Sequence, residues 1–317
     1  RSALDRILPP PRTIGAVLLR GIKLAKQDPI VNIIDQLAGV DYIADPAIAT
    51  SIYMAQSLGR PLLIEGRAGV GKTEIANVMA QLMDTNLIRL QCYEGLDVTT
   101  ALYEWNYPKQ LLWIKLDEQS GRSTEEREQQ IFSEPFLLER PLLAALTQKD
   151  KAPVLLIDEV DRADEEFEAF LLETLSEFQV TIPEIGTIKA EHRPLVILTS
   201  NRTRDLSDAL RRRCLYLWID YPDLEKELRI VRNKVKGIDE DLARQVCEFV
   251  RGAREFGLEK VPGISETLDW ANAMILLNYD NLEPDIIAQT LGALVKDADD
   301  LERFRTEAIE HIMQSVG

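Results

Sequence analysis

The hydrophobic pattern of the chain changes character near Tyr221-Pro222. Before that point, short apolar runs alternate with stretches of helical period. Leu62-Leu63-Ile64-Glu65, Leu87 to Leu90, Val154-Leu155-Leu156-Ile157, Leu195-Val196-Ile197-Leu198 and Tyr216-Leu217-Trp218-Ile219 each predict a strand. Val154-Leu155-Leu156-Ile157, entirely apolar, reads as a strand covered on both faces, and the alternation of strands with helices as a parallel sheet. Between them, Lys72 to Met83 predicts a helix, and Phe167, Phe170, Leu171, Thr174, Leu175 and Phe178 share one helical face. Asp45-Pro46 predicts an earlier helix start, with Asp as cap and Pro in the first turn, and an end near Gly59. After residue 222 only helical spacing remains: Leu224, Leu228, Val231 and Val235, then Leu242, Val246, Phe249 and Val250, then three more helices. The pattern predicts an α/β core over 41–222, its parallel sheet carrying helices on both faces, and a smaller all-α domain over 223–317.

Residues 1–40 read as an arm. Pro9-Pro10-Pro11 favours an extended stretch, and Ile14, Val17, Leu18, Gly21 and Ile22 then recur at helical spacing. Two inserts lengthen the core. One, near 91–136, gathers Tyr103, Trp105, Tyr107 and Trp113 beside Pro108; the other, near 181–193, alternates from Thr181 to Ile188 like a hairpin with Gly near its tip. Glu118 to Glu128, charged and rich in small residues, reads as a flexible loop.

Charge narrows the choice of partners. The net charge is −16, but residues 1–40 hold six Lys/Arg against three Asp, so the arm is +3 and the rest −19. A body this acidic repels phosphate backbones, which argues against non-specific nucleic-acid binding. The arm is either a dock for an acidic neighbour or an ordinary solvated segment. Cys92, Cys214 and Cys247 are far apart without metal-ligand spacing, and His192 and His311 are the only histidines. Scattered, odd-numbered cysteines fit a reducing compartment, so the cytoplasm is the default location. No apolar run approaches the roughly 20 residues a spanning helix needs. Residue 1 is not Met, which leaves a removed leader open.

The chemistry is concentrated at the ends of the predicted strands. Gly66-Arg67-Ala68-Gly69-Val70-Gly71-Lys72-Thr73 is a complete G-x-x-x-x-G-K-T, following a strand and opening a helix. Its glycines allow a tight turn with backbone N–H groups aimed at phosphates, and the helix N-terminus adds positive potential. Lys72 is positioned for the β- and γ-phosphates of ATP, and the Thr73 hydroxyl for Mg²⁺. Asp158 and Glu159 end the next apolar strand. Asp158 is the candidate second Mg²⁺ residue, and Glu159 the candidate base for the attacking water. Asn201, after Leu198-Thr199-Ser200, offers an amide to that water or to the γ-phosphate.

With these motifs in order, the chain resembles AAA+ proteins, and among them the MoxR group. Asp158-Glu159-Val160-Asp161-Arg162-Ala163 and Leu171-Leu172-Glu173 are close to the MoxR forms. Tyr42-Ile43-Ala44-Asp45, Arg60-Pro61-Leu62-Leu63, Glu94-Gly95-Leu96-Asp97, Tyr103 to Tyr107 and Glu266 to Trp270 resemble the CoxD-like branch. The resemblance spans 41–317 and implies an AAA+ P-loop domain followed by a helical lid. It further implies a homo-hexameric ring with nucleotide at each interface, a von Willebrand factor A domain partner, and a metalloenzyme client such as a molybdenum–copper carbon monoxide dehydrogenase. Tyr42 and Ile43 become candidate walls of the adenine pocket. The finger that completes a neighbour's site falls among Arg211, Arg212 and Arg213, with Arg213 before Cys214 the best match to the family form. The family's second-sensor arginine has no counterpart here: Gly263-Ile264-Ser265-Glu266 is followed by Thr267. The inserts fall toward the ring pore in such proteins, where the aromatics either grip a client or pack the insert on its own domain.

A protein-remodelling ATPase is therefore the expected function. A nucleic-acid motor or restriction-type NTPase shares the same core, and a nucleotide-gated scaffold with little turnover would use the same pocket.

Overall fold

The computed structural model describes residues 28–118 and 120–314. The proline run and the helical spacing from Ile14 to Ile22 lie outside the described residues. The first described helix, α1 (Pro29–Ala38), is capped by Asp28 and packs Ile33 and Leu37 against α2 (Pro46–Leu58). α2 begins where the sequence predicts: Asp45 Oδ1 accepts from Ile48 N at 3.0 Å, with Pro46 in the first turn. Gly59, at φ +60°, ends it in the left-handed conformation that glycine adopts without steric cost.

The core then runs through β1 (Leu62–Gly66), α3 (Lys72–Leu82) and β2 (Leu87–Gln91). The first insert supplies α4 (Val98–Ala101), β3 (Tyr103–Trp105), α5 (Tyr107–Asp117), α6 (Thr124–Ile131), β4 (Leu137–Glu139) and α7 (Pro141–Leu146). Next come β5 (Val154–Asp158), α8 (Glu165–Glu177), the hairpin β6 (Gln179–Ile182) and β7 (Gly186–Lys189), β8 (Leu195–Ser200), α9 (Asp208–Arg213) and β9 (Leu215–Ile219). Five strands form one parallel sheet in the order β2-β5-β8-β1-β9. Alternation sorts their side chains onto two faces. Leu62, Ile64, Leu156 and Ile197 meet α1, α2 and α3 on one side, whereas Leu63, Leu155, Ile157 and Leu198 meet α7 and α8 on the other. The fold is α/β, with helices on both faces of the sheet.

From residue 224 on, α10 (Leu224–Lys234), α11 (Glu240–Glu255), α12 (Ile264–Leu276), α13 (Pro284–Thr290), α14 (Ala298–Arg303) and α15 (Ile309–Met313) enclose a separate core. Phe249 lies at its centre, 5.2 Å from the Trp270 ring and 5.8 Å from that of Phe304. Trp270 Nε1 donates to Thr290 Oγ1 at 3.0 Å, which satisfies the indole's polar atom inside an apolar cluster. Among the described residues no helix is long and apolar enough to cross a membrane.

One expectation for the first insert is corrected, and an alternative left open is resolved for one residue. The segment read as a flexible loop over 118–128 contains the start of α6. Ser123 and Glu126 form a capping box there, each side chain bonding the other's backbone N–H. Arg122 and Arg127 also converge on the buried Asp117, so charges that suggest solvation in the sequence tie the segment down. For Trp105, one of the insert aromatics that either grip a client or pack, the structure shows packing. It is 7% exposed and meets Phe132 edge-on at 5.2 Å, with Tyr103 at 6.2 Å. Tyr107 is 59% exposed. Trp105→Ala should therefore cost about 3–5 kcal/mol in urea unfolding, as truncating a buried aromatic does. Tyr107→Ala should stay within about 0.5 kcal/mol of the parent, the usual range for a surface substitution. Equal effects of the two substitutions on stability would refute this division.

Candidate nucleotide-binding site

Parallel strands bring their carboxyl ends to one edge of the sheet, and the candidate chemistry lies along that edge. β1 runs into the phosphate loop. At Gly66 an added Cβ would meet Ile219 O of the neighbouring strand at 2.1 Å, so no side chain fits where the loop leaves the sheet. Gly69, at φ +72°, lies against Gly263, and Ile264 N donates to Gly69 O at 2.8 Å. The start of α12 thus touches the loop backbone directly. Ala68 and Val70 fill the intervening positions, and Gly71, at φ +88°, turns the chain into α3.

Lys72 leads α3 and turns back across the loop. Its Nζ donates to Gly66 O at 2.9 Å, Arg67 O at 2.6 Å and Asn201 Oδ1 at 2.7 Å. Burial pulls its ammonium below the ordinary lysine range, opposed by the charges of Asp161, Asp158 and Glu159. Thr73 Oγ1 lies 3.2 Å from Asp158 Oδ1, so a hydroxyl and a carboxylate from α3 and β5 share one small space. Hard oxygen donors of this type suit Mg²⁺, and the pair fits the role read from the sequence.

Glu159 follows Asp158 with φ +54°, a left-handed conformation unusual for a non-glycine residue. Its backbone N donates to Thr199 Oγ1 at 3.0 Å. Its carboxylate accepts from Gln91 Nε2 at 3.2 Å and, more loosely, from Asn201 Nδ2 at 3.4 Å. Asn201 therefore stands between Lys72 and Glu159. Two residues absent from the sequence reading also enter: Gln91, and Arg89, whose guanidinium pairs with Asp158. The register places them there, since β2 lies beside β5 with Gln91 opposite Asp158.

Beside the loop is a cavity of about 300 Å³ whose walls include Tyr42, Ile43, Val70, Ile230, Ile264 and Leu268. Tyr42 and Ile43 are thus brought to the loop, but half of these walls come from α10 and α12, which local sequence reading did not connect to them. Burial pushes the Tyr42 hydroxyl well above its ordinary pKa, with Asp45 and Glu74 adding to the effect, so it stays protonated.

The three arginines of α9 differ. Arg211 reaches back to the fully buried Glu65, with 3.0 Å between NH2 and Oε1. The Arg212 and Arg213 side chains are exposed and make no ion pair or hydrogen bond among the described residues. They precede Leu215, which pairs with Leu62 at the start of β1, so they sit at the end of the sheet opposite the phosphate loop. Arg60 donates to the carbonyls of Arg212, Arg213 and Cys214 and fixes the backbone there. Thr267 is fully buried. Its hydroxyl donates to Glu227 Oε1 at 2.8 Å, and Arg254 holds the same carboxylate through two 2.7 Å bonds. Position 267 therefore belongs to a polar network inside the helical segment.

Residues 61–214 match the family described as AAA domain (dynein-related subfamily). The RuvB subunit of the Holliday junction branch migration complex from Thermotoga petrophila is 22% identical over 261 residues. That alignment covers 80% of this chain and 65% of the relative, so the chain spans a little under two thirds of RuvB. An uncharacterized Staphylococcus epidermidis protein is 25% identical over 227 residues, covering 70% of this chain and 78% of that one. The solved Thermotoga maritima RuvB branch migration motor superposes with a TM-score of 0.44 at 18% identity, over 80% of this chain and 68% of that one. The phosphate loop, Asp158, Glu159 and Asn201 all fall inside the region that matches the AAA domain model.

Proposed function

We propose that this chain is an ATP-hydrolysing AAA+ remodelling ATPase of MoxR type, working in the cytoplasm as a homo-hexameric ring. The observation that carries the reading is the meeting of Lys72, the Thr73–Asp158 pair and the Glu159–Asn201 pair at one sheet edge, beside an apolar cavity. The cavity takes the adenine, with Tyr42 and Ile43 against the ring. The backbone N–H groups of Gly66 to Gly71 and the Lys72 ammonium hold the phosphates. Mg²⁺, held by Thr73 and Asp158, would neutralise charge on the phosphate oxygens. Glu159 takes a proton from the attacking water, and Asn201 orients that water. Arg213 of a neighbouring subunit supplies a guanidinium to the transferring phosphoryl group. The work is done on a client protein, in our reading a metalloenzyme such as a molybdenum hydroxylase, together with a von Willebrand factor A domain protein. The residue blocks resembling the CoxD-like branch support this assignment, and the −19 carried by residues 41–317 supports a protein client over a nucleic acid.

The RuvB relatives favour a second reading, a nucleic-acid-directed motor. One set of assays separates the two. With Mg²⁺ present, ATP should outcompete GTP and turnover should be indifferent to DNA. Preference for guanine nucleotide would sink the remodelling assignment and favour a restriction-type NTPase, and turnover raised severalfold by DNA would favour the motor.

A further inference from the structure

The Arg89–Asp158 ion pair stands apart from the rest of the site because it places a cation on the carboxylate read as a metal ligand. Both oxygens of Asp158 are engaged. Oδ1 faces the hydroxyls of Thr73 and Thr199, whereas Oδ2 receives Nε of Arg89 at 3.1 Å and its NH2 at 2.5 Å. Asp158 is 4% exposed, while the Arg89 side chain is 53% exposed and lines the pocket with Lys72 and Thr73. One partner is thus fixed by the sheet, and the other is a long side chain with solvent to retreat into. The Arg89 NH2 also donates to Gln91 Oε1 at 2.5 Å, and Gln91 Nε2 donates to Glu159. With its carbonyl held by Arg89, the Gln91 amide turns its N–H group toward the proposed base.

We propose that Arg89 is an intrachain rival of the divalent cation. Its guanidinium holds the Asp158 carboxylate that Mg²⁺ requires, and metal loading displaces it, releasing its hold on Gln91 as well. The inference rests on the nucleotide reading above and adds a regulatory role at the same site. The physical case is simple. A guanidinium at hydrogen-bond distance from Oδ2 neutralises the carboxylate, and a divalent cation brought to the same carboxylate meets like charge. Asp158 is buried but the Arg89 side chain is half in solvent, so that partner can leave and the hold is reversible. A fully buried pair would be much harder to break.

The test measures metal binding, not turnover. The chain is saturated with ADP and titrated with Mn²⁺, the free ion being read by electron paramagnetic resonance. Arg89→Ala should bind Mn²⁺ about two- to fivefold more tightly than the parent, the range expected for losing a partly exposed competing pair. Its ADP affinity in EDTA should match the parent. Arg89→Gln, which keeps a polar side chain near Gln91 but no charge, should show the same tightening and covers the case in which the alanine variant folds poorly. Arg89→Lys should fall between. Unchanged or weaker Mn²⁺ binding in Arg89→Ala and Arg89→Gln overturns the proposal. So does weaker ADP binding in EDTA, which would make Arg89 a phosphate ligand. If the parent binds no ADP, the nucleotide reading fails and takes this one with it; normal ADP binding with unaltered metal affinity removes the Arg89 assignment alone.

Discussion

Glu159→Gln should bind ATP as tightly as the parent and hydrolyse it at least about a hundredfold more slowly, the lower range of what general-base catalysis contributes. Lys72→Ala should instead lose nucleotide affinity. The two residues sit at the same sheet edge but act on different partners. The Lys72 ammonium is folded across the loop within 2.9 Å of two loop carbonyls, and a γ-phosphate bound there would face it before any bond breaks. Glu159 lies behind Asn201, toward β2 and β5, and is linked to Lys72 through that amide. Its left-handed backbone orients the carboxylate this way, held by Thr199 beneath and Gln91 beside it. The Gln substitution keeps shape and hydrogen bonding but cannot take a proton. Equilibrium binding of a fluorescent nucleotide, with phosphate release on the same samples, separates the effects. Wild-type turnover in Glu159→Gln would remove it as the base, and unaltered affinity in Lys72→Ala would move the phosphates elsewhere.

The second large effect concerns the neighbouring subunit. Arg213→Ala should reduce turnover by about 10³-fold or more, as loss of an arginine finger does. Yet a mixture with inactive Glu159→Gln should regain part of the activity. Arg213 precedes β9 at the end of the sheet opposite its own phosphate loop, so it cannot serve its own site while the fold is intact. In mixed assemblies some interfaces join an intact Glu159 to an intact Arg213. Arg211 is a poorer candidate than its position suggests, because its guanidinium is committed to buried Glu65, and Arg211→Ala should cost stability before it costs turnover. Arg212 shares the exposure of Arg213 and makes the informative control. A mixture that stays inactive while the subunits demonstrably co-assemble would exclude Arg213 as a finger in trans. Recovery with Arg212→Ala in its place would assign the role to Arg212.

What could be read from the sequence was local. The phosphate loop is eight contiguous residues between a strand and a helix, so its geometry follows from its own glycines. Asp158 and Glu159 end an apolar run, and strand ends are where parallel sheets gather their chemistry. The central strands β1, β5 and β8 were legible because strands buried throughout leave no polar face to blur the pattern. The residues that escaped depend on pairing or back-folding. Arg89 and Gln91 reach the site only because β2 lies against β5, sixty-odd residues later in the chain. Ile264 and Leu268 reach the cavity because α12 folds back onto Gly69. Position 267 drew attention for lacking an arginine, yet its hydroxyl serves the Glu227–Arg254 pair, a contact no local pattern announces. The capping box of α6 was readable as Ser123-x-x-Glu126, but surrounding charge masked it. Trp105 shows the limit of inferring function from residue type, since a cluster of aromatics in an insert looks alike whether it packs or protrudes.

The account stands on ATP hydrolysis at a site completed between subunits, and turnover as a function of protein concentration tests both halves together. Phosphate release from Mg-ATP would be measured per chain across a dilution series, with mass followed by light scattering on the same samples. Turnover per chain should be low where the chain is monomeric and rise steeply over the range in which mass rises, with EDTA abolishing it throughout. Full turnover in the monomer, or an assembled ring that releases no phosphate, would contradict the account.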